Sequence, residues 1–291
     1  QMNCFNQRLR RTAPICSGGS RNDLVPSKPA RMNGWSWPPQ VAQVIGWLMF
    51  IYMAIVSFGI YVPLLPPPWN HLFCYYDCAL TLCFQLIGIA FVLHFVTHLV
   101  AEIIDPADVS VRAKQTYSNP VPLFDRTKQS HVIQDLHCYL CDVKVGPKVK
   151  HCGVCNKCVQ DFDHHCIWLN NCVGGRNYYF FVALCSATFG TLLLIIVILF
   201  IFIQHYLDPD NLRTAPQFNN LLTNETWLVF LPAAPLKTTS AGLLVVAFIT
   251  VLLSQVSLLL LGHLLGLHLY LLYKGISTHD HIKMQRQKQA R

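Results

Sequence analysis

Residues 138–172 read CYLCDVKVGPKVKHCGVCNKCVQDFDHHCIWLNNC, with seven cysteines and three histidines in 35 positions. The Cys-x-x-Cys pairs at 138/141 and 152/155, with 155/158 overlapping the second, have metal-site spacing, and an ordinary core needs no such density of sulfur. Two tetrahedral zinc ions take eight Cys or His donors. Cys138, Cys141, Cys152, Cys155, Cys158 and Cys172 with two histidines fill them, and Cys166 is left over. Zinc is expected to hold this segment together, because so short a stretch has little apolar core of its own. Spacing alone leaves open how the remaining donors divide.

Cys166 follows Asp163, His164 and His165. In an extended chain, alternate side chains share a face and neighbours oppose one another. His164 and Cys166 then lie together, while His165 points away towards a metal. Free cysteine ionises at about pH 8.5, so an imidazole that accepts its proton raises the thiolate share. Asp163 can fix that imidazole's tautomer. These are the parts of nucleophilic catalysis on an acyl group.

Outward from this cluster the chain is apolar: 53% of its residues are hydrophobic and 12% charged. Stretches at 41–65, 78–104, 178–207 and 241–273 each exceed the ~20 helical residues that cross a hydrocarbon core. Lys and Arg number 6 in 1–40, 9 in 105–177 and 5 in 274–291, which is 20 of the chain's 22. Positive residues accumulate on the cytosolic side. Both tails (1–40 and 274–291) and the zinc segment (105–177, core 138–172) are therefore expected in the cytosol, and the loop 208–240 in the lumen. The net charge of +8 reads as a topology signal with some attraction to anionic lipid or an acidic coenzyme, rather than to nucleic acid. Reducing surroundings agree with metal-bound rather than disulfide-bonded cysteine.

Residues 1–32 are polar and read as disordered, with no cleavable signal peptide; a chain opening on Gln1 reads as a fragment. Cys4 and Cys16 on this tail are inert thiols or acylation sites. Trp35 and Trp37 in NGWSWPP, and Trp69, suit the two headgroup regions. His94, His98 and Glu102 share one helical face, for structural hydrogen bonds or a ligand pocket. Asn224-Glu225-Thr226 is a glycosylation acceptor pattern. The Pro-broken stretch 227–236 is expected on the lumenal surface, and Gly262 and Gly266 suit close helix contact.

The Asp163-His164-His165-Cys166 run, with Trp168, Asn170, Asn171, Cys172, Val173, Gly174, Asn177 and Phe181, resembles the cysteine-rich domain of DHHC-type protein S-acyltransferases (palmitoyltransferases). The four-span layout matches too, over residues 33–282. NGWSWPP and Asp105-Pro106-Ala107-Asp108 are most similar to the first and eleventh vertebrate members. The resemblance implies interleaved zinc sites, Cys138, Cys141, His151 and Cys158 on one, Cys152, Cys155, His165 and Cys172 on the other. It also implies Asp163, His164 and Cys166 as catalytic. Ala107 stands where the family often has glycine, Ile167 where many members have proline, and Lys148 where arginine is common. The family's Thr-Thr-x-Glu appears as Ser277-Thr278-His279-Asp280, so Thr278 is expected to support the active site. The resemblance also implies a position on the third helix that limits the depth of the acyl tail. Counting from Cys166 places Thr191 there, or else Thr191 only bonds its own helix backbone. The 13 residues from Tyr178 rise roughly 20 Å, about the length of a 16-carbon chain.

The expected fold is an all-α polytopic membrane protein, with four transmembrane helices and a cytosolic two-zinc domain of short hairpins between the second and third. The expected activity is protein S-palmitoylation from palmitoyl-coenzyme A. Partners are the bilayer, membrane-associated proteins with cytosolic cysteines and, through the subgroup resemblance, adaptors of innate immune signalling; nucleic acid is not expected. The coenzyme's phosphates are expected near Lys148, Lys150 or the basic tails. Home is an endomembrane: endoplasmic reticulum, Golgi or endosome. The alternatives are a non-catalytic scaffold and, less consistent with five residues intervening between Cys166 and Cys172, a RING-like ligase.

Overall fold

The computed structural model describes residues 29–65, 74–114, 121, 124, 130–214, 218, 226–231 and 234–290. Cys4, Cys16, Trp69 and Asn224 lie outside them. The chain divides into two compact units, one of residues 1–43, 98–180 and 274–291, the other of 44–97 and 181–273.

The second unit is helical. Helices α1 (Val41–Val56), α2 (Cys74–Ile103), α4 (Phe180–Leu207) and α5 (Ser240–Lys274) supply four segments long and apolar enough to cross a membrane. Short α3 (Val109–Ala113) follows α2. Their polarity is inverted relative to a soluble bundle. On α4, Leu194, Val197, Ile198 and Ile201 are buried, yet Leu192, Ile196, Leu199 and Ile203 are exposed on the opposite side. In water that outer face would cost ~25 cal/mol per Å²; hydrocarbon removes the penalty. The core joins Met53, Tyr61 and Leu64 to Ile87, Leu194, Ile198, Leu243 and Ala247. Its polar groups are paired: Tyr52 with Thr250 (2.9 Å), and the Tyr61 hydroxyl to the Leu243 carbonyl (3.3 Å). His94 bonds the Ala183 carbonyl at 2.9 Å, a structural use of that histidine.

The Pro-broken stretch is ordered: residues 226–239 form an antiparallel hairpin, β8 (Thr226–Leu231) with β9 (Ala234–Thr239), in which Leu236 and Lys237 are exposed. Trp227 and Leu228 are buried in the helical core, because burying an indole and a leucine outweighs the irregularity that the prolines introduce. Among the described residues no neighbouring element closes on Gly262 or Gly266, where the sequence suited close helix contact: a Cβ at either would meet no atom within 4 Å. Small residues alone do not attract a neighbour without facing side chains to fill the gap.

The first unit carries seven short strands, β1 (Ile133–Gln134), β2 (His137–Cys138), β3 (Val143–Lys144), β4 (Lys150–Cys152), β5 (Lys157–Val159), β6 (His164–Cys166) and β7 (Asn171–Val173). They form a three-stranded sheet β1-β2-β3 and two hairpins, β4–β5 and β6–β7. Helix α6 (Thr278–Gln289) completes the unit.

The Cys138/Cys141 and Cys152/Cys155 pairs fold alike. The Asp142 amide donates to the Cys138 carbonyl and the Asn156 amide to the Cys152 carbonyl, both at 2.7 Å. Asp142 and Asn156 then take φ of 51° and 57°, a left-handed conformation that short polar side chains tolerate. The Cys141 and Cys155 amides point back at Cys138 Sγ and Cys152 Sγ, each 3.4 Å away, which favours thiolate.

The segment before α1 straps across this domain. The Arg31 amide donates to the Cys155 carbonyl (2.8 Å) and the Gly34 amide to the Glu102 carbonyl (2.9 Å). A Cβ on Gly34 would lie 2.2 Å from the Leu169 carbonyl oxygen, so only glycine fits. Buried Lys157 joins the strap at the Met32 carbonyl and pairs with Asp105, both at 2.6 Å. Ala107 bridges Val159 without a positive φ, so the position does not require glycine.

Candidate active site

Strand register divides the donors. In β4–β5, His151 lies opposite Cys158, and Cys152, the next residue, faces the other way. One hairpin therefore feeds both metal sets. In β6–β7, His165 lies opposite Cys172. The donor atoms of Cys138, Cys141, His151 and Cys158 fall within 4.8 Å of one another, as do those of Cys152, Cys155, His165 and Cys172.

Zinc fits both sets. With Zn–S of ~2.3 Å and Zn–N of ~2.05 Å, a tetrahedral site has S···N edges of about 3.5 Å. His151 Nδ1 lies 3.7, 3.5 and 3.9 Å from Cys138, Cys141 and Cys158 Sγ. His165 Nδ1 lies 3.3 Å from Cys155 and 3.7 Å from Cys172. Without a cation, thiols this close oppose one another's ionisation: the hydrogen bond that the Cys155 thiol donates to the Cys152 sulfur pushes Cys155 up to about 12. A divalent ion reverses that repulsion.

The other face of β6 carries His164 and Cys166, opposite Val173 and Asn171. Cys166 is 4% exposed and belongs to neither metal set. His164 Nδ1 meets Asp163 Oδ2 at 2.7 Å, and its ring packs edge to face with Phe180, centroids 5.3 Å apart. Burial works to lower the His164 pKa, but the Asp163 carboxylate and the Cys166 sulfur overcome it and raise the pKa to about 9. For Asp163 the balance is similar: burial pushes up, while hydrogen bonds from His164 and Thr278 prevail and lower it.

Thr278 reaches this group from 115 residues away. Its amide donates to Asp163 Oδ1 (2.9 Å) and its hydroxyl to Asp163 Oδ2 (2.7 Å). The amide is the first of α6, so the carboxylate sits where helix ends are electropositive. Ser277 caps that end, accepting from the Asp280 amide (3.1 Å) and donating to the Asp280 carboxylate (2.8 Å). Ser277 is thus the N-cap of α6, held in place by the acid three residues on.

The asparagines fasten the β6–β7 hairpin. Asn171 Nδ2 donates to the carbonyls of Ala101, Glu102 and Ile104 at 3.0–3.2 Å, and Asn177 Nδ2 to Ala101 and Cys172. These include terminal carbonyls of α2, which have no partner within their own helix. Asn170 Nδ2 binds the strap at Gly34 and Pro38. Buried Glu102 accepts from Gln43 (3.0 Å) and lies 3.3 Å from His98. Periodicity on α2 located His98 and Glu102; nothing local to Gly34, Lys157 or Asp105 signalled their roles. Thr191 belongs to the other unit, where its hydroxyl donates to the Ala187 carbonyl within α4 at 2.8 Å.

Residues 131–285 match the family model described as DHHC palmitoyltransferase. The chain belongs to that family. It is 57% identical over 288 residues to Palmitoyltransferase ZDHHC11 of Danio rerio, covering 98% of this chain and 65% of that one. It is 47% identical over 290 residues to Palmitoyltransferase ZDHHC1 of Danio rerio, covering 99% and 48%. Palmitoyltransferase ZDHHC11 of Mus musculus is 44% identical over 289 residues, covering 99% of this chain and 80% of its own length. The chain thus spans between about half and two thirds of the first two relatives. Family membership and four apolar helices make it an integral membrane protein with two Cys/His clusters suited to zinc.

Proposed function

We infer that this chain is a protein S-palmitoyltransferase that moves a long-chain acyl group from acyl-coenzyme A to cysteines of membrane-associated proteins. One observation carries the reading: Cys166, outside both metal sets, shares a strand face with an imidazole that a buried carboxylate orients. The Cys166 sulfur attacks the thioester carbonyl, with His164 taking its proton. The carbon–sulfur bond to coenzyme A breaks, and His164 returns the proton to the departing thiolate. A substrate thiol, deprotonated by His164, then attacks the acyl-enzyme and regenerates Cys166. Each step exchanges one thioester for another, so no nucleoside triphosphate is needed. Zinc, held by the two donor sets, supplies structure rather than chemistry.

Thr278 fixes the Asp163 carboxylate, and Thr191 limits the depth of the acyl chain among the helices. Each buried methylene contributes about 0.8 kcal/mol, which favours a membrane site for that chain. Charge asymmetry supports cytosolic termini and a lumenal 208–240 loop in an endoplasmic reticulum, Golgi or endosomal membrane. Likeness to the first and eleventh vertebrate members supports innate immune adaptors as protein partners, whether as substrates or on a scaffold. Labelling with an alkyne palmitate analogue tests the reading. Wild type forms a hydroxylamine-sensitive adduct and Cys166→Ser forms none, with two zinc ions retained. An undiminished adduct in that variant overturns the mechanism.

A further inference from the structure

Helix α6 holds more than the threonine that fixes Asp163. Between it and residues 162–165 lies a cleft of about 540 Å³. The helix wall is one stripe, His279, Lys283, Arg286 and Ala290, flanked by Ile282 and Gln287. The facing wall carries Phe162, Asp163, His164 and His165; Cys166 does not line it. Phe162 and His279 meet edge to face, with centroids 5.8 Å apart, and close one end.

The helix wall of this cleft is cationic, while the one carboxylate facing it, Asp163, is already engaged by His164 and Thr278. Within α6 the only acid is Asp280, and it is engaged by the Ser277 cap and His279. Lys283 and Arg286 make no side-chain hydrogen bond or ion pair among the described residues, and both are exposed. A helix that needed only to orient Asp163 through its first turn would gain nothing from two cations, one turn apart, lining a cleft beside the general base.

We propose that this cleft binds the protein substrate, taking an acidic segment that flanks the target cysteine. The proposal rests on the acyl-transfer reading and adds a substrate class to it. The His279 amide donates to the Asp163 carbonyl at 3.0 Å, so the stripe starts at the catalytic group. Lys283 and Arg286 follow roughly 6 and 10 Å along the helix, at 1.5 Å per residue. An extended peptide advances ~3.3 Å per residue. With its cysteine at His164, its acidic residues fall about two to four positions away. Ile282 and Phe162 supply apolar contact and the Gln287 amide a backbone partner. Because the cleft flanks the base and not the thiol, it stays open while Cys166 carries the acyl group, which is when the second substrate must bind. Coenzyme A, required at the sulfur in the first step, is the competing anion, and the test separates the two.

The full chain, in nanodiscs of neutral lipid, is given palmitoyl-coenzyme A and one of two peptides. Each peptide has a single cysteine flanked by either Asp and Glu or Lys. Lys283→Glu with Arg286→Glu raises KM for the acidic peptide about tenfold and lowers it for the basic one. The rate of acyl-enzyme formation and its dependence on palmitoyl-coenzyme A stay unchanged. A raised KM for palmitoyl-coenzyme A with unaltered peptide preference assigns the cations to the coenzyme and overturns the proposal. No change in either does the same. If the reversed variant loses zinc, the Lys283→Gln, Arg286→Gln pair is judged by the same criteria. If wild type forms no acyl-enzyme, the catalytic reading fails instead; fluorescence anisotropy of the two labelled peptides then decides the cleft, with equal affinities refuting it.

Discussion

His164 and His165 are adjacent in sequence yet are expected to fail in unrelated ways. His165 sits opposite Cys172 with its Nδ1 3.3 Å from Cys155 Sγ, whereas His164 faces Asp163 and Cys166 on the other side of β6. His165→Ala leaves one site with three thiolates. Structural zinc binding is worth roughly 10–16 kcal/mol in small domains, and three donors bind it poorly. Purified protein should fall from two zinc ions per chain to one, with the β6–β7 hairpin destabilised. His164→Ala removes no donor and should retain both ions. Its acyl-enzyme formation should drop by about 10² to 10⁴, the usual contribution of a positioned base. Zinc by inductively coupled plasma mass spectrometry, beside single-turnover labelling, reads both quantities in one preparation. Equal metal content in the two variants would refute the opposite-face assignment, whatever the activities.

Gly34→Ala should lower the thermal midpoint, because its Cβ would meet the Leu169 carbonyl oxygen at 2.2 Å. Overpacking of this kind costs about 1–3 kcal/mol, and an unchanged melting curve would show that the strap does not bind the turn after Cys166. Thr191→Tyr should shift acyl-enzyme formation from 16- and 18-carbon donors towards 14-carbon ones, as a ring shortens the space a threonine leaves; an unaltered donor profile removes Thr191 from the pocket floor. For topology, a glycosidase-sensitive mass shift that disappears in Asn224→Gln places 208–240 in the lumen. Protease protection of a tag near residue 115 in sealed microsomes would contradict it.

Much of this protein is written locally. The cysteine spacing 138/141/152/155/158/172 points to metal because Cys-x-x-Cys pairs at that density set four donors around one point. Alternation along an extended strand separated His164 from His165, since the period of a strand does not depend on what packs around it. Hydropathy marked the four spans because a bilayer imposes length and polarity on any helix that crosses it.

Other features depend on residues far apart in the chain. Asn171 was visible as part of a motif, but its use, on carbonyls 67 to 70 residues earlier, exists only once α2 ends beside the hairpin. Thr278 meets Asp163 across 115 residues. The 227–236 stretch became a hairpin with its tryptophan buried, and Gly262 and Gly266 gained no neighbour, because burial depends on which faces approach and not on composition. The cleft along α6 is of the same kind. Its lysine and arginine are ordinary in a basic tail, and only the fold sets them beside His164. The sequence by itself determined the metal chemistry and the membrane spans, because both are set by local spacing and by solvent. Tertiary structure decided which backbone groups hold the strand of His164 and Cys166 and what lines its approaches, because those partners come from distant segments.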